Sequence, residues 1–263
     1  MLYYETMQIS EQLTPESIYE LVARVGFKKY FHLGGMKATE ELIALCYMNK
    51  DKHILDVGCA SGKTACYIAR KYGSQVVGID LSNRMVARAN ERAKKEGVVE
   101  LVKFQTADAQ ELPFEDNYFD VVIGEFITGL LNDKRRAVDG YLRVTKPGGY
   151  IGLNEATWVK SPPPKELVEY LANIFGVKGE ILTADGWQGL LASAGFRELI
   201  ARDYKVDALS NKWDDFKDFL GVWHRVLYMY IRSSAFRRFI NEAFSIPKNL
   251  VEYFGYGIYV GRK

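Results

Sequence analysis

The chain has 263 residues, 48% of them hydrophobic and 26% charged, with 35 basic side chains against 33 acidic ones. That length and apolar content suit one large globular α/β unit or a core carrying an insertion. The net charge of +2 argues against the strong positive field of a nucleic-acid binder.

No apolar run approaches the roughly 20 residues of a spanning helix, so no membrane span is expected and only peripheral contact is left open. The three cysteines, Cys46, Cys59 and Cys66, have neither pairing parity nor metal-ligand spacing, so no metal is expected. The stretch "MLYYETMQISEQLTPESIYEL" lacks a basic start and an apolar core segment. With reduced thiols, this predicts a cytoplasmic protein.

Periodicity predicts helices over 15–25 and 37–47, separated by "GFKKYFHLGG". From residue 53 strands and helices alternate. "HILDVG" reads as a strand, "KTACYIARKY" as a helix stopping before Gly73, and "QVVGID" as a strand. A helix then runs from a Ser82 cap to Gly97. "VKFQTAD" and "YFDVVIGEF" read as strands, "KRRAVDGYLRVT" as a helix and "YIGLNEA" as a strand. Beyond the prolines of "SPPPKE", "PKELVEYLANIF" and "ADGWQGLLASAGF" read as helices and "RELIARDYKV" as a strand. A long aromatic helical stretch over 211–245 precedes a last strand, "GYGIYVGRK".

This order predicts an α/β, Rossmann-like, doubly wound, seven-stranded and mostly parallel sheet with helices on both faces. Residues 1–36 are expected as an amino-terminal helical cap and 37–263 as the main domain, with 207–250 as an inserted helical lid.

The stretch "LDVGCASGKTACYIA" carries Gly58 and Gly62 between an expected strand and an expected helix. Such a turn lets the backbone approach a nucleotide-like ligand and offers the amide donors of a helix start. Asp80 closes the second strand about twenty residues on, where a carboxylate suits two ribose hydroxyls. In "FQTADAQELPF" the Asp108 carboxylate suits an adenine amino group and the Ala109 amide the ring edge, while Leu81 or Met85 suits the adenine face. A dinucleotide site wants glycines in a G-x-G-x-x-G frame, whereas this turn reads Gly58-Cys59-Ala60-Ser61-Gly62. Asp56, before the first glycine, suits an α-ammonium group better than a pyrophosphate.

Asp56, the two glycines, Asp80 and Asp108, finishing with "LRVTKPGGYIGLNEA", form an ordered series. The series resembles the class I S-adenosylmethionine-dependent methyltransferases over roughly residues 30–205. The family usually has glycine where this chain has Ala60. The resemblance implies S-adenosylmethionine as cofactor, held by Asp56, Gly58, Cys59, Gly62, Asp80, Leu81 or Met85, Asp108, Ala109, Gly124 and Glu125. Cys59 reads as a small filler beside the turn, because no neighbouring His or Lys would activate its thiol.

After the fourth strand, enzymes acting on nucleic-acid amines or amides commonly carry Asn/Asp-Pro-Pro-aromatic. Here the residues are Gly124-Glu125-Phe126-Ile127, similar to the small-molecule branch that methylates quinone precursors and sterols. Many of that branch place a His soon after this strand, where this chain has Leu130 and Leu131. The catalytic candidates are therefore His32 and Tyr30, in the segment that in this family folds over the methionine end of the cofactor, together with Glu125. His32 reads equally as a filler of the turn before the helix. Asn154 and Glu155 close the fifth strand as further polar candidates. His53 is expected to be structural, and His224 to have a core or surface role.

The expected function is direct in-line methyl transfer from S-adenosylmethionine to a small acceptor that is apolar or aromatic, a lipid, isoprenoid or similar metabolite. The alternative is a regulatory or scaffold protein that binds the cofactor without transferring its methyl group. No nucleic-acid partner is expected, and the oligomeric state is not readable. The insertion places residues 213, 216, 220, 223 and 227 on one helical stripe that would enter a core, with further aromatics, Tyr228 among them, left for an apolar pocket.

Overall fold

The computed structural model describes residues 32–175, 180–206 and 212–263. The helix expected over 15–25, Tyr30 and most of the cap lie outside the described residues. The described residues form two compact units, one containing the sheet and the other entirely helical.

The sheet unit begins with α1 (Gly35–Leu45), β1 (His53–Val57), α2 (Lys63–Tyr72), β2 (Gln75–Asp80), α3 (Asn83–Glu96), β3 (Val102–Thr106) and β4 (Phe119–Glu125). A 3-10 turn at Thr128–Leu130 leads into α4 (Lys134–Val144) and β5 (Thr145–Trp158). The helical unit contains α5 (Lys165–Phe175), and the chain then returns to the sheet unit for α6 (Ala184–Ala194) and β6 (Arg197–Lys205). It leaves again for α7 (Lys212–Arg232) and α8 (Ser234–Phe244), and ends with the short α9 (Leu250–Tyr253) and β7 (Phe254–Arg262) in the sheet unit.

The seven strands lie in the order β3-β2-β1-β4-β5-β7-β6. β7 runs antiparallel to both its neighbours, while the pairs of β1 with β2 and β4, β2 with β3, and β4 with β5 are parallel. The expected sheet is therefore present, with one reversed strand. Local chemistry accounts for the helix ends. The Ser82 hydroxyl accepts from the Met85 amide, the Asp133 carboxylate from Arg136 and the Thr183 hydroxyl from Gly186, each satisfying an orphan donor of a first turn.

β1 and β4 are buried along almost their whole length, as inner parallel strands covered on both faces must be. Leu42 and Ile43 of α1, with Cys66 and Ile68 of α2, pack on one face of the sheet. Val138 and Tyr141 of α4, with Trp187 and Leu191 of α6, pack on the other. Both faces thus exclude water from the inner strands, while their carboxyl ends remain at the edge where ligands of such sheets bind.

Two expectations need correction. β3 ends at Thr106, so Asp108 lies in the following loop, where its Oδ1 accepts the Gln110 amide at 2.8 Å. The expected aromatic helical stretch consists of two helices meeting at Ser233, and α5 belongs to the same compact unit. On α7 the buried face is not the expected stripe. Val222 is buried with Phe236 of α8, and Val226 and Met229 pack against them, whereas Trp223 is 51% and Leu227 48% exposed. The side chains of 213, 216 and 220 lie outside the described residues. Tyr228 and His224 are exposed.

Candidate active site

The glycine turn joins β1 to α2 with left-handed backbone at Gly58 (φ 70°), Ala60 (φ 46°) and Gly62 (φ 71°). Glycine is demanded here first by the chain itself. A Cβ on Gly62 would stand 2.8 Å from that of Ala89 and 2.7 Å from the Phe104 ring, and one on Gly58 would stand 2.8 Å from Ile127 Cγ1. The missing side chains that suggested ligand approach also let α2 settle on α3 and let Ile127 cover the turn. Within the turn, the Cys59 amide donates to the Ile79 carbonyl at 2.8 Å and the Gly62 amide to the Cys59 carbonyl at 2.8 Å. The Cys59 side chain packs towards Gly78, and burial pushes its thiol well above the usual range, as suits an inert filler.

Three carboxylates gather at the ends of β1, β2 and β4. Asp80 binds the turn, its Oδ2 accepting the Ala60 amide and its Oδ1 the Ser82 amide, each at 2.9 Å. Asp56 is 3% exposed and its Oδ2 has no hydrogen-bond partner. Burial first, then the charges of Glu125 and Asp80, hold its carboxyl well above the usual range, and only the Ala65 amide opposes them. A buried, uncompensated acceptor beside two other carboxylates calls for a cation. S-adenosylmethionine, with a sulfonium and an α-ammonium, has the matching chemistry, and its ribose suits Asp80.

Glu125 is engaged by side chains. Thr39 Oγ1 donates to its Oε1 at 2.8 Å and Thr64 Oγ1 to its Oε2 at 2.7 Å, while His32 Nε2 stands 3.6 Å from Oε1. Thr39 has one hydroxyl proton and gives it to Glu125. The 3.2 Å contact between Thr39 Oγ1 and His32 Nε2 therefore requires Nε2–H to donate. His32 Nδ1 lies 3.1 Å from both the side-chain amide nitrogen of Asn154 and the Leu33 carbonyl. The same amide also donates to the Leu33 carbonyl at 3.0 Å, and Asn154 Oδ1 is buried without a partner.

The structure thus brings His32, Glu125, Asp56 and Asp80 to one edge of the sheet, with Gly58, Cys59, Gly62 and Gly124 in the adjoining turn and strand end. Leu81 is 60% exposed but Met85 is wholly buried, so only Leu81 of that pair offers surface. Asp108 is half-buried and Ala109 buried in the loop after β3. His53 sits at the opposite end of β1 against Tyr118 and Phe119, a structural role. Sequence reasoning missed Thr39 and Thr64. Each looks like an ordinary helix residue, and only the sheet brings both to Glu125. Among the described residues no group of His, Cys, Asp and Glu could hold a metal ion, and no helix is long and apolar enough to cross a membrane.

Comparison with known proteins agrees with this chemistry. The family described as "Methyltransferase domain" matches residues 55–153. The chain is 32% identical over 184 residues to phosphoethanolamine N-methyltransferase 1 of Zea mays, covering 69% of this chain but 35% of that protein. It is 32% identical over 168 residues to 27-O-demethylrifamycin SV methyltransferase of Amycolatopsis mediterranei, covering 64% of this chain and 62% of that one. The chain therefore spans about a third of the plant relative and under two thirds of the bacterial one. An S-adenosylmethionine-dependent methyltransferase from Geobacter sulfurreducens, solved with S-adenosylhomocysteine, shares the fold. Its TM-score is 0.71 at 22% identity, covering 92% of this chain and 97% of that chain. On its motifs, its sheet and the family match, residues 55–153 of the chain form a methyltransferase domain with the fold of the class I S-adenosylmethionine-dependent methyltransferases.

Proposed function

We propose that the acceptor is a small apolar or aromatic molecule, such as a lipid, isoprenoid or related metabolite, methylated by direct in-line displacement. The observation that carries the catalytic half of this reading is the buried set of His32, Thr39, Glu125 and Asn154. S-adenosylmethionine supplies an already activated methyl group, so the protein's contribution is alignment, exclusion of water and the handling of one proton where the acceptor must lose it.

His32 is suited to that proton. Its Nε2 stands 3.6 Å from the Glu125 carboxylate, and the Asn154 side chain, whose Oδ1 is without a partner, lies against Nδ1. Glu125 orients the ring through Thr39, and Tyr30 belongs to the same proposed cap over residues 1–36.

The apolar half of the reading rests on α7. Trp223, Leu227, Tyr230 and Ile231 follow one helical stripe and all are exposed. They support residues 207–250 as the lid that selects the acceptor. Three buried, unpaired cysteines support a cytoplasmic setting.

The test is transfer of labelled methyl groups to a panel containing phenols, isoprenoid quinols, fatty acids and phosphoethanolamine. Transfer to the first three classes, altered by Trp223→Ala or Tyr228→Ala without a change in S-adenosylhomocysteine affinity, is the expected result. Transfer to phosphoethanolamine alone would overturn the apolar reading.

A further inference from the structure

Four successive backbone amides of the loop after β4 end on two successive residues of β5. The Phe126 amide donates to the Asn154 carbonyl at 2.7 Å. The next three donate to the Glu155 carboxylate: Ile127 to Oε1 at 3.3 Å, Thr128 to Oε1 at 2.7 Å and Gly129 to Oε2 at 3.1 Å. Glu155 is 1% exposed, on the face of the sheet opposite Asn154, where Trp187 and Tyr259 pack.

The loop is held in a conformation it would not choose alone. Phe126 has a left-handed φ of 61°, which costs an aromatic residue about 1–3 kcal/mol unless its surroundings impose it. Gly129 sits close against the carboxylate, since a Cβ there would lie 3.1 Å from Glu155 Oε2 and press on it. The loop's position in turn reaches the cofactor turn. The Ile127 side chain occupies the space above Gly58 and lies 3.1 Å from where a Cβ on Gly124 would stand.

We infer that Glu155 is a positioning residue for methyl transfer: its ionised carboxylate holds residues 127–129 and, through Ile127, presses the glycine turn into its cofactor-binding shape. No contact with the acceptor is involved, so the inference stands whichever acceptor is used and whether or not His32 moves a proton.

The anchor is tunable. Burial raises the Glu155 carboxyl to about 7, although the amides of Gly129, Thr128 and Ile127 all pull it down. The other titratable groups that act on it are Lys134 and Tyr141 of α4 and Tyr259 of β7. Lys134 feels Glu155 and Glu180, Tyr141 feels Glu155 and Asp108, and Tyr259 feels Glu155 and Asp203. A neutral carboxyl accepts more weakly and must itself donate, into a site already filled with donors. The anchor is therefore tightest above pH 7 and slackens below it. The sign for global stability is opposite. A carboxyl raised from an unfolded value of 4.5 favours folding most while protonated, and that contribution is lost as pH rises through about 7. Loosening of the loop at low pH is thus not a by-product of unfolding.

Amide hydrogen exchange, corrected for the intrinsic rate, tests this without an acceptor. In the intact protein, protection at Ile127, Thr128 and Gly129 should fall by about 10-fold between pH 8 and pH 6, the scale of losing a charge-assisted bond. The Phe126 amide, bound to a backbone carbonyl, should hold. Glu155→Gln should be poorly protected at both pH values, and by calorimetry should bind S-adenosylhomocysteine about 3–10-fold more weakly at pH 8. Equal protection at both pH values in the intact protein would overturn the inference, whether or not the variant folds. So would a folded variant that keeps both loop protection and affinity.

Discussion

Asn154 and Glu155 are neighbours on β5 that serve opposite faces of the sheet, and the two buried glutamates of the site differ in the same way. Glu125 is satisfied by the hydroxyls of Thr39 and Thr64 with His32 close by, all side chains that can turn. Glu155 is satisfied by three main-chain amides that cannot turn without moving the loop. A carboxylate held by rotatable groups can exchange partners with a ligand or follow a proton, whereas one held by backbone fixes geometry. The same residue type is thus held by movable side chains in one place and by fixed backbone in the other.

Substitutions can break this contrast at its shared point, Gly58, where the loop held by Glu155 meets the cofactor turn. Gly58→Val combines a left-handed φ with a clash against Ile127, and should lose about 3 kcal/mol of stability together with measurable S-adenosylhomocysteine binding. Differential scanning calorimetry and ligand titration should show both losses together. A variant with intact melting and affinity would separate the loop from the turn.

On the Glu125 face, His32→Ala should lower kcat by about 10²-fold in a single-turnover assay, if the acceptor must lose a proton. A loss of affinity alone, with kcat retained, would reduce His32 to a fastening of the chain.

Asp80→Ala should weaken S-adenosylmethionine by roughly 1.5–3 kcal/mol. Asp80→Asn should recover part of this loss, since the amide oxygen can still accept from Ala60 or Ser82. Unchanged calorimetric affinity in Asp80→Ala would place the ribose elsewhere.

The smallest effect concerns Asp56. Its raised carboxyl should ionise when a cation arrives, so S-adenosylmethionine binding should release a fraction of a proton to buffer. The release should vanish in Asp56→Asn. Calorimetry in buffers of different ionisation enthalpy reads it directly.

The sheet was legible because inner parallel strands are short apolar runs bounded by glycines and caps, as at "HILDVG", "QVVGID" and the helix from Ser82 to Gly97. Strand ends carrying Asp56, Asp80 and Glu125 were legible for the same reason. The partners of Glu125 were not, because Thr39 and Thr64 are separated from it by 86 and 61 residues and neither breaks a local pattern. The role of Glu155 was hidden because main-chain amides leave no trace in composition. On α7 the apolar residues occupy two adjoining stripes, and periodicity alone cannot say which is buried; Val222 and Val226 took the inner one.

The reversed last strand has a further consequence. β6 and β7 are antiparallel neighbours, and Lys205 pairs with Gly255 at the end where β6 stops and β7 begins. A tight hairpin turn would join them. Instead the chain leaves the sheet at one rung and returns to the same rung after α7, α8 and α9. Closing a longer excursion between two fixed, adjacent points adds only about 0.6 kcal/mol per doubling of its length. The sheet therefore carries the intervening helices at little cost in loop closure and without re-registering either strand.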